Sequence, residues 1–144
     1  MKILVTGGAG FIGSVTNREL QKAGFETVVF DNLSEGHRGA VGKTRLIKRD
    51  LTDKAAIMKA FKEDHFDAVL HFAAKALAPE SMEKPYEYFY NNIIGGLNLL
   101  EAMREAKCNK IVFSSTCAVY GYPKTLPVTE EALQEPVSVY GETK

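Results

Sequence analysis

Four glycines in seven residues, Gly7, Gly8, Gly10 and Gly13, follow directly on the apolar run Lys2 to Thr6 and lead into Phe11 to Ala23. The second segment is apolar at Phe11, Ile12, Val15 and Leu20, so strand, tight turn and amphipathic helix must follow one another here. The glycines read in two registers, Gly8-x-Gly10-x-x-Gly13 or Gly7-x-x-Gly10-x-x-Gly13. Either one lets the backbone approach a pyrophosphate at a helix N-terminus, where free N–H groups and the helix dipole favour an anion. A glycine-rich turn by itself is also a way to connect strand to helix. The order strand, turn, helix is what a dinucleotide fingerprint requires.

The alternation continues along the chain. Gly24 reads as the residue past a helix end, and Glu26 to Phe30 as a second strand ending at Asp31, before a polar loop from Asn32 to Gly42. A strand at Arg45 to Lys48 precedes a helix at Lys54 to Glu63, which Thr52 or Asp53 can cap. Phe66 to Phe72 is a fourth strand, and the segment Ala73 to Lys84 carries no assigned element. Pro85 opens a long helix to about Ala106, with Tyr86, Tyr90, Ile93, Ile94, Leu97, Leu100 and Met103 marking its expected buried face. Lys110 to Ser114 is a fifth strand, and a loop from Ser115 to Pro136 ends where a last helix begins near Val137. Consecutive apolar residues in strands separated by helices imply a parallel sheet covered on both faces. The fold class is α/β, a doubly wound sheet of Rossmann type, with residues 1–144 as one unit. Ligands in such sheets bind beyond the carboxyl ends of the strands.

Composition removes several alternatives. The 18 Lys+Arg balance 18 Asp+Glu, so no basic surplus points to nucleic acid, and 45% apolar content is that of a folded domain. No apolar run approaches membrane-spanning length. Cys108 and Cys117 have no metal-ligand spacing and fit a reducing cytoplasm, with Cys117 expected as a small buried packing residue. His71 falls in an apolar strand as a packed, hydrogen-bonded residue; His37 and His65 are expected at the surface, and none is assigned catalysis.

Chemistry concentrates at the strand ends. Asp31 lies 18 residues after Gly13, where a carboxylate accepts hydrogen bonds from both adenosine ribose hydroxyls and repels a 2′-phosphate, favouring NAD over NADP. It could instead only open an Asx-turn with Asn32. Asp50 and Leu51 stand where a third strand end meets adenine, although Asp50 could simply belong to the capping of the next helix. Tyr140 and Lys144 are four apart and share a helix face, and an ammonium beside a tyrosine favours the phenolate, a usable base. Ser114, Ser115 and Thr116 put hydroxyls at a strand end, as catalytic groups or as caps of the loop.

Taken together, these motifs resemble the extended short-chain dehydrogenase/reductase family over essentially the whole chain. They are Thr6 to Gly13, Asp31-Asn-Leu-Ser34 with Gly36-His37, Asp50-Leu51, His71-Phe-Ala-Ala74, Glu80-Ser81 before Lys84-Pro85, Asn91-Asn92, Ser114-Ser-Thr116 leading to Val119-Tyr-Gly121, and Tyr140-x-x-x-Lys144. The resemblance implies that Gly7, Gly10 and Gly13 with Phe11 and Ile12 hold the pyrophosphate of NAD. It places Asp31 and Asn32 at the adenosine ribose, with Leu33 and Ser34 in the same cofactor site, and Asp50 and Leu51 at the adenine. Phe72, Ala73, Ala74 and Lys75 would line the central part, with Asn92 and Ser114 close by.

For the chemistry, the resemblance implies Tyr140 as base, Lys144 on the nicotinamide ribose and Thr116 as a proton relay, with Lys75, Ser115, Thr116 and Tyr140 at the substrate. The implied reaction is epimerisation at C4 of a UDP-hexose, UDP-galactose to UDP-glucose, through a transient 4-keto sugar. Relatives that eliminate water or carbon dioxide carry Asp-Glu or Glu after the threonine; here Cys117 and Ala118 follow, so chemistry stops at C4. The alternatives are epimerases of N-acetylated or uronic sugars, a dehydratase or net-redox reductase of the same family, and a non-catalytic NAD-binding module. The resemblance further implies a homodimer joined through the helix after Pro85 and the one carrying Tyr140. The chain is expected to be the N-terminal part of a larger protein, with Tyr140 and Lys144 loosely held in a marginal last turn.

Overall fold

The computed structural model describes residues 1–144. Its core is a five-stranded parallel sheet in the order β3-β2-β1-β4-β5, formed by β1 (Lys2–Thr6), β2 (Glu26–Asp31), β3 (Arg45–Lys48), β4 (Ala68–His71) and β5 (Ile111–Phe113). The registers pair Val5 with Val29 and Leu70, and His71 with Phe113. Side chains alternate across the sheet as strand geometry requires. Ile3, Val5, Val29 and Ala68 enter one cluster, with Leu20 of α1 (Phe11–Lys22) packed against it. Leu4, Val28, Phe30 and Val69 enter the other, with Ile57, Ala60 and Phe61 of α2 (Lys54–Glu63) and Leu99, Ala102 and Met103 of α5 (Gly95–Glu105). The doubly wound expectation holds.

Local chemistry sets the boundaries. Gly24, at φ 85°, ends α1. Asp53, not Thr52, caps α2: its side chain accepts from the Ala56 N–H at 3.1 Å. The polar loop after β2 contains a 3-10 turn, Arg38–Val41, and the loop after β5 contains another, Cys117–Tyr120. No helix is long and apolar enough to cross a membrane.

Three readings are corrected. The segment left without structure contains a short helix, α3 (Ala78–Glu83), with a proline in its first turn and Glu80 near its N-terminus. The long helix runs as α4 (Pro85–Phe89), a π-helical stretch Tyr90–Ile94 and α5. Its buried face is not the expected one: Tyr88, Asn92, Gly95, Leu99, Ala102 and Met103 are buried, while Tyr86, Tyr90, Ile93, Ile94, Leu97 and Leu100 are exposed. Only Met103 belonged to both. A Cβ on Gly95 would lie 3.1 Å from Leu51 Cβ, so the helix closes tightly on the turn after β3 there, and its inward face combines Asn92 and Gly95 with Tyr88, Leu99 and Met103. The third correction is Cys117, which is exposed rather than packed.

Candidate functional site

The carboxyl ends of the strands open on one cleft, lined by Gly7 and Gly10, Phe30 to Asn32, Ser34 to Gly36, Arg49 to Leu51, Phe72 to Lys75, and Asn91. The glycine register resolves to Gly7-x-x-Gly10-x-x-Gly13. Gly7 has φ 72°, and a Cβ there would come 2.5 Å from the Ala73 N, so the turn after β1 lies against the backbone after β4. A Cβ on Gly13 would fall 2.2 Å from the Gly7 O, which lets α1 start directly behind the turn. Gly8 packs instead on the Val29 side chain. Gly10 opens α1 with no side-chain cap and no acidic residue in the first turn, which leaves the first-turn N–H groups available to an anion. Phe11 and Ile12 are exposed in that first turn, whereas Gly13 is buried behind it.

Asp31 makes the turn of the second reading and also faces the cleft. Its Oδ1 accepts from the Leu33 N–H at 2.8 Å, an Asx-turn that holds Leu33 at φ 62°, and its Oδ2 accepts from the Ala9 N–H at 2.9 Å. The carboxylate nevertheless lines the cleft and keeps lone pairs free for further donors. Asn32 donates to Asp50 Oδ2 at 2.8 Å and accepts from the Ser34 N–H at 2.9 Å. Asp50 Oδ1 accepts from both the N–H and the hydroxyl of Thr52 at 2.8 and 2.7 Å, so the ends of β2 and β3 are tied together. Burial pushes the Asp50 carboxyl upward, but the hydrogen bonds from Asn32 and Thr52 outweigh it and hold the group below its ordinary value.

The wall from Phe72 to Lys75 is fixed from behind. Asn92 Oδ1 accepts from the Lys75 N–H at 2.8 Å, and Asn92 Nδ2 donates to the Lys75 carbonyl at 3.1 Å. Asn92 is buried behind the wall, and its neighbour Asn91 is the one that faces the cleft. Asn92 also donates to Thr143 Oγ1 at 2.8 Å, which joins the wall to the Tyr-x-x-x-Lys segment.

That segment forms a single turn, α6 (Val139–Glu142), closed rather than loose. Ser138 caps it by accepting from the Gly141 N–H at 3.1 Å. Lys144 Nζ sits 4.6 Å from the centroid of the Phe113 ring, and burial lowers its pKa. Ser115 donates to the Lys144 carbonyl at 3.4 Å, and Thr116 caps the Cys117–Tyr120 turn by accepting from the Ala118 N–H at 3.2 Å. A Cβ on Gly141 would meet the Ala118 O at 2.8 Å, so the Thr116 turn and the Tyr140 turn touch backbone to backbone. Ser114 continues the sheet, its N–H donating to the His71 carbonyl at 3.0 Å.

His71 is packed as expected, its Nδ1 paired with Thr6 Oγ1 at 2.6 Å. No group of three or more His, Cys, Asp or Glu side chains could hold a metal ion. Five residues of the cleft lining had no assigned role in the sequence, Phe30, Glu35, Gly36, Arg49 and Asn91. Arg49 precedes Asp50 at a strand end, where position alone could have flagged it; Asn91 lies one step from the asparagine singled out; Glu35, in a polar loop, gave no signal.

Residues 3–144 match the NAD dependent epimerase/dehydratase family. The chain is 48% identical over 145 residues to a UDP-glucose 4-epimerase of Lactobacillus helveticus, covering all of this chain and 44% of that protein. It is 43% identical over 152 residues to a putative UDP-arabinose 4-epimerase of Arabidopsis thaliana, covering 99% of this chain and 35% of the other. The crystal structure of UDP-glucose 4-epimerase from Brucella ovis in complex with NAD superposes with a TM-score of 0.95 at 43% identity, over 99% of this chain and 44% of that one. The chain thus spans less than half the length of these relatives.

Proposed function

Since the chain belongs to the NAD dependent epimerase/dehydratase family, we propose that the whole protein epimerises a UDP-hexose at C4, converting UDP-galactose to UDP-glucose. Residues 1–144 then supply the N-terminal NAD-binding part. One observation carries this reading: the cleft wall at Lys75 and the Tyr140-x-x-x-Lys144 turn are joined through Asn92 and Thr143. A dinucleotide cleft and a base-bearing turn are thereby one structure.

The cleft fits the cofactor. Glycine at positions 7 and 13 brings the turn and α1 together with no side chain between them, beside an uncapped helix start suited to a pyrophosphate. Asp31 and Asn32 meet the adenosine ribose, with Leu33 and Ser34 shaping the turn around it, and Asp50 and Leu51 meet the adenine. NAD, when bound, supplies the hydride acceptor and later the donor for sugar C4. Tyr140 takes the proton from the 4-hydroxyl as the C4 hydrogen departs and returns it after the keto sugar has turned over. Thr116 relays that proton. Lys144, its ammonium steadied over Phe113, holds the nicotinamide ribose and places positive charge beside the phenol. Lys75 and Ser115 complete the substrate side, and Cys117 and Ala118 offer no acid or base for elimination.

The whole protein is a homodimer through the Pro85–Glu105 helix and the one carrying Tyr140. The exposed row of Tyr86, Tyr90, Leu97 and Leu100 supports this. Cys108 and Cys117, unpaired within residues 1–144, suit a cytoplasmic protein.

The test is turnover by the full-length protein. UDP-galactose is converted with no net use of added NADH, and Tyr140→Phe lowers kcat by about 10²- to 10⁴-fold, the usual contribution of a positioned base. An unchanged rate in that variant would assign the base elsewhere. A 4-epimerase of another UDP-sugar is the second reading, supported by the likeness to the putative UDP-arabinose enzyme. Comparing kcat/KM for UDP-galactose and UDP-arabinose separates the two.

A further inference from the structure

A helix of one turn cannot hold its own geometry, since it closes too few hydrogen bonds to offset the residues it orders. The turn α6 is of this kind, yet it carries Tyr140. Its N-terminal amides need partners. Ser138 serves the Gly141 N–H from within the chain segment, and the Tyr140 N–H is served from a different element, by Ser81 Oγ of α3 at 3.0 Å. Ser81 has no exposed surface, and its hydroxyl proton is committed to the Ala78 carbonyl at 2.6 Å. Its oxygen therefore presents its lone pairs in a fixed direction.

The helix that holds Ser81 is itself immobilised. The Tyr88 hydroxyl, fully buried, accepts from the Leu77 N–H at 3.1 Å and lies 2.9 Å from both the Leu77 carbonyl and Glu80 Oε2. At the other end of the turn, Thr143 Oγ1 donates to the Tyr140 carbonyl at 2.8 Å while accepting from Asn92. Tyr140 is thus gripped at both its N–H and its C=O by buried hydroxyls.

We propose that Ser81 is a positioning residue for Tyr140: its buried hydroxyl fixes, through the Tyr140 backbone, where the phenol stands relative to the reacting sugar. The proposal rests on the reading of Tyr140 as the base. Removing the hydroxyl takes away the acceptor of the half-buried Tyr140 N–H, and the turn must shift to recover one. Small misplacements of a reacting group are costly in rate without being costly in binding.

The experiment uses the full-length protein with Ser81→Ala, Ser81→Cys and Ser81→Thr, and Tyr140→Phe alongside. Bound NAD per subunit, KM for UDP-galactose and kcat are measured for each. The expected result is a kcat about tenfold lower for Ser81→Ala, an intermediate loss for the weakly accepting thiol of Ser81→Cys, recovery in Ser81→Thr, and unchanged KM and NAD content. If the alanine variant does not fold, the cysteine variant reads the same split between kcat and KM. Native kcat in both would overturn the proposal, as would a rate loss that only tracks loss of bound NAD. If Tyr140→Phe is inactive while Ser81→Ala and Ser81→Cys are fully active, the positioning role alone is wrong. If Tyr140→Phe is fully active, the base assignment has failed.

Discussion

His71 shows how much a single buried group can set. It is 2% exposed, accepts or donates at Thr6, and lies tilted by 37° against Phe113 with ring centres 5.5 Å apart, and the Phe113 ring also carries the Lys144 ammonium. Burial, aided by the Lys144 charge, lowers its pKa from 6.5 to about 4, so the folded chain keeps it neutral where the unfolded chain protonates it. Between those two values the unfolded state binds the extra proton, and stability therefore falls as pH falls from about 6.5 to about 4. A difference of that size corresponds to about 3 kcal/mol at the acid end of the window. Urea midpoints of the native chain should drop across it, and those of His71→Gln, which cannot titrate, should drop distinctly less. An equally steep variant would assign the slope to the carboxylates. The same neutrality suits the site, because a second cation under Phe113 would oppose Lys144. Asp31 makes a related point, since one carboxylate both builds its turn and faces the cleft, and a structural role does not exclude a binding one.

Elements differ in how openly the sequence declares them, and the reason is physical. The strand, glycine turn and helix from Lys2 to Lys22 were legible because local sterics alone dictate them: no other residue tolerates the backbone approach found at Gly7 and Gly13. Helix α2 was equally open, with Asp53 as its cap. The Pro85 helix was legible as a helix and misread as to its face, because apolarity marks burial only when one side is apolar. Here the inward side is defined by Tyr88, Asn92, Gly95 and Leu99, placed for close packing and hydrogen bonding, and the outward side also carries apolar groups, Tyr86, Tyr90, Ile93, Ile94, Leu97 and Leu100. Helix α3 has no side-chain cap and few residues, so Pro79 and Glu80 in its first turn are its main local signal, and its place is fixed by Tyr88 and by contacts with α6. For the cleft, residue type and strand-end position sufficed for Asp31 and Asp50. They could not tell Asn91 from Asn92, because which of two adjacent asparagines faces the cleft depends on the π-helical stretch that contains both. The outward face leads to its own test. Leu97 is 55% exposed and Leu100 is 50% exposed, so Leu97→Glu with Leu100→Glu costs the isolated fold little. In the full-length protein the pair should convert a dimer to a monomer by sedimentation, with an unchanged far-ultraviolet spectrum; a persistent dimer would move the interface elsewhere.

At the scale of the whole molecule, the cleft exists because of strand order. In β3-β2-β1-β4-β5 the chain leaves β1 toward one side of the sheet, fills that side with β2 and β3, and only then crosses to β4 and β5 on the other, so the connections after β1 and β4 diverge and leave a crevice between them. Gly7 and Ala73, in contact across that crevice, are its floor. The ends of β2 and β3, tied by Asn32 and Asp50, extend it to one side, and Asn92 anchors the other through Lys75. Each wall thus has its own hydrogen-bonded support within residues 1–144. The adenosine and pyrophosphate part of the site should accordingly work in this chain as it stands, and native mass spectrometry of the chain with added NAD should show the bound mass. The glycine floor makes the sharper comparison. Gly13→Ala sets a methyl against the Gly7 carbonyl, where the separation would be 2.2 Å, and must push α1 away from the turn. Gly96→Ala adds the same methyl where nothing lies within 4 Å. The first should weaken NAD binding at least about tenfold, as loss of a charge-assisted anion contact would, and the second should leave it unchanged. Equal binding by both would mean that the turn after β1 does not meet the pyrophosphate. Loss in both would mean that the occupancy reports general stability and not the cleft.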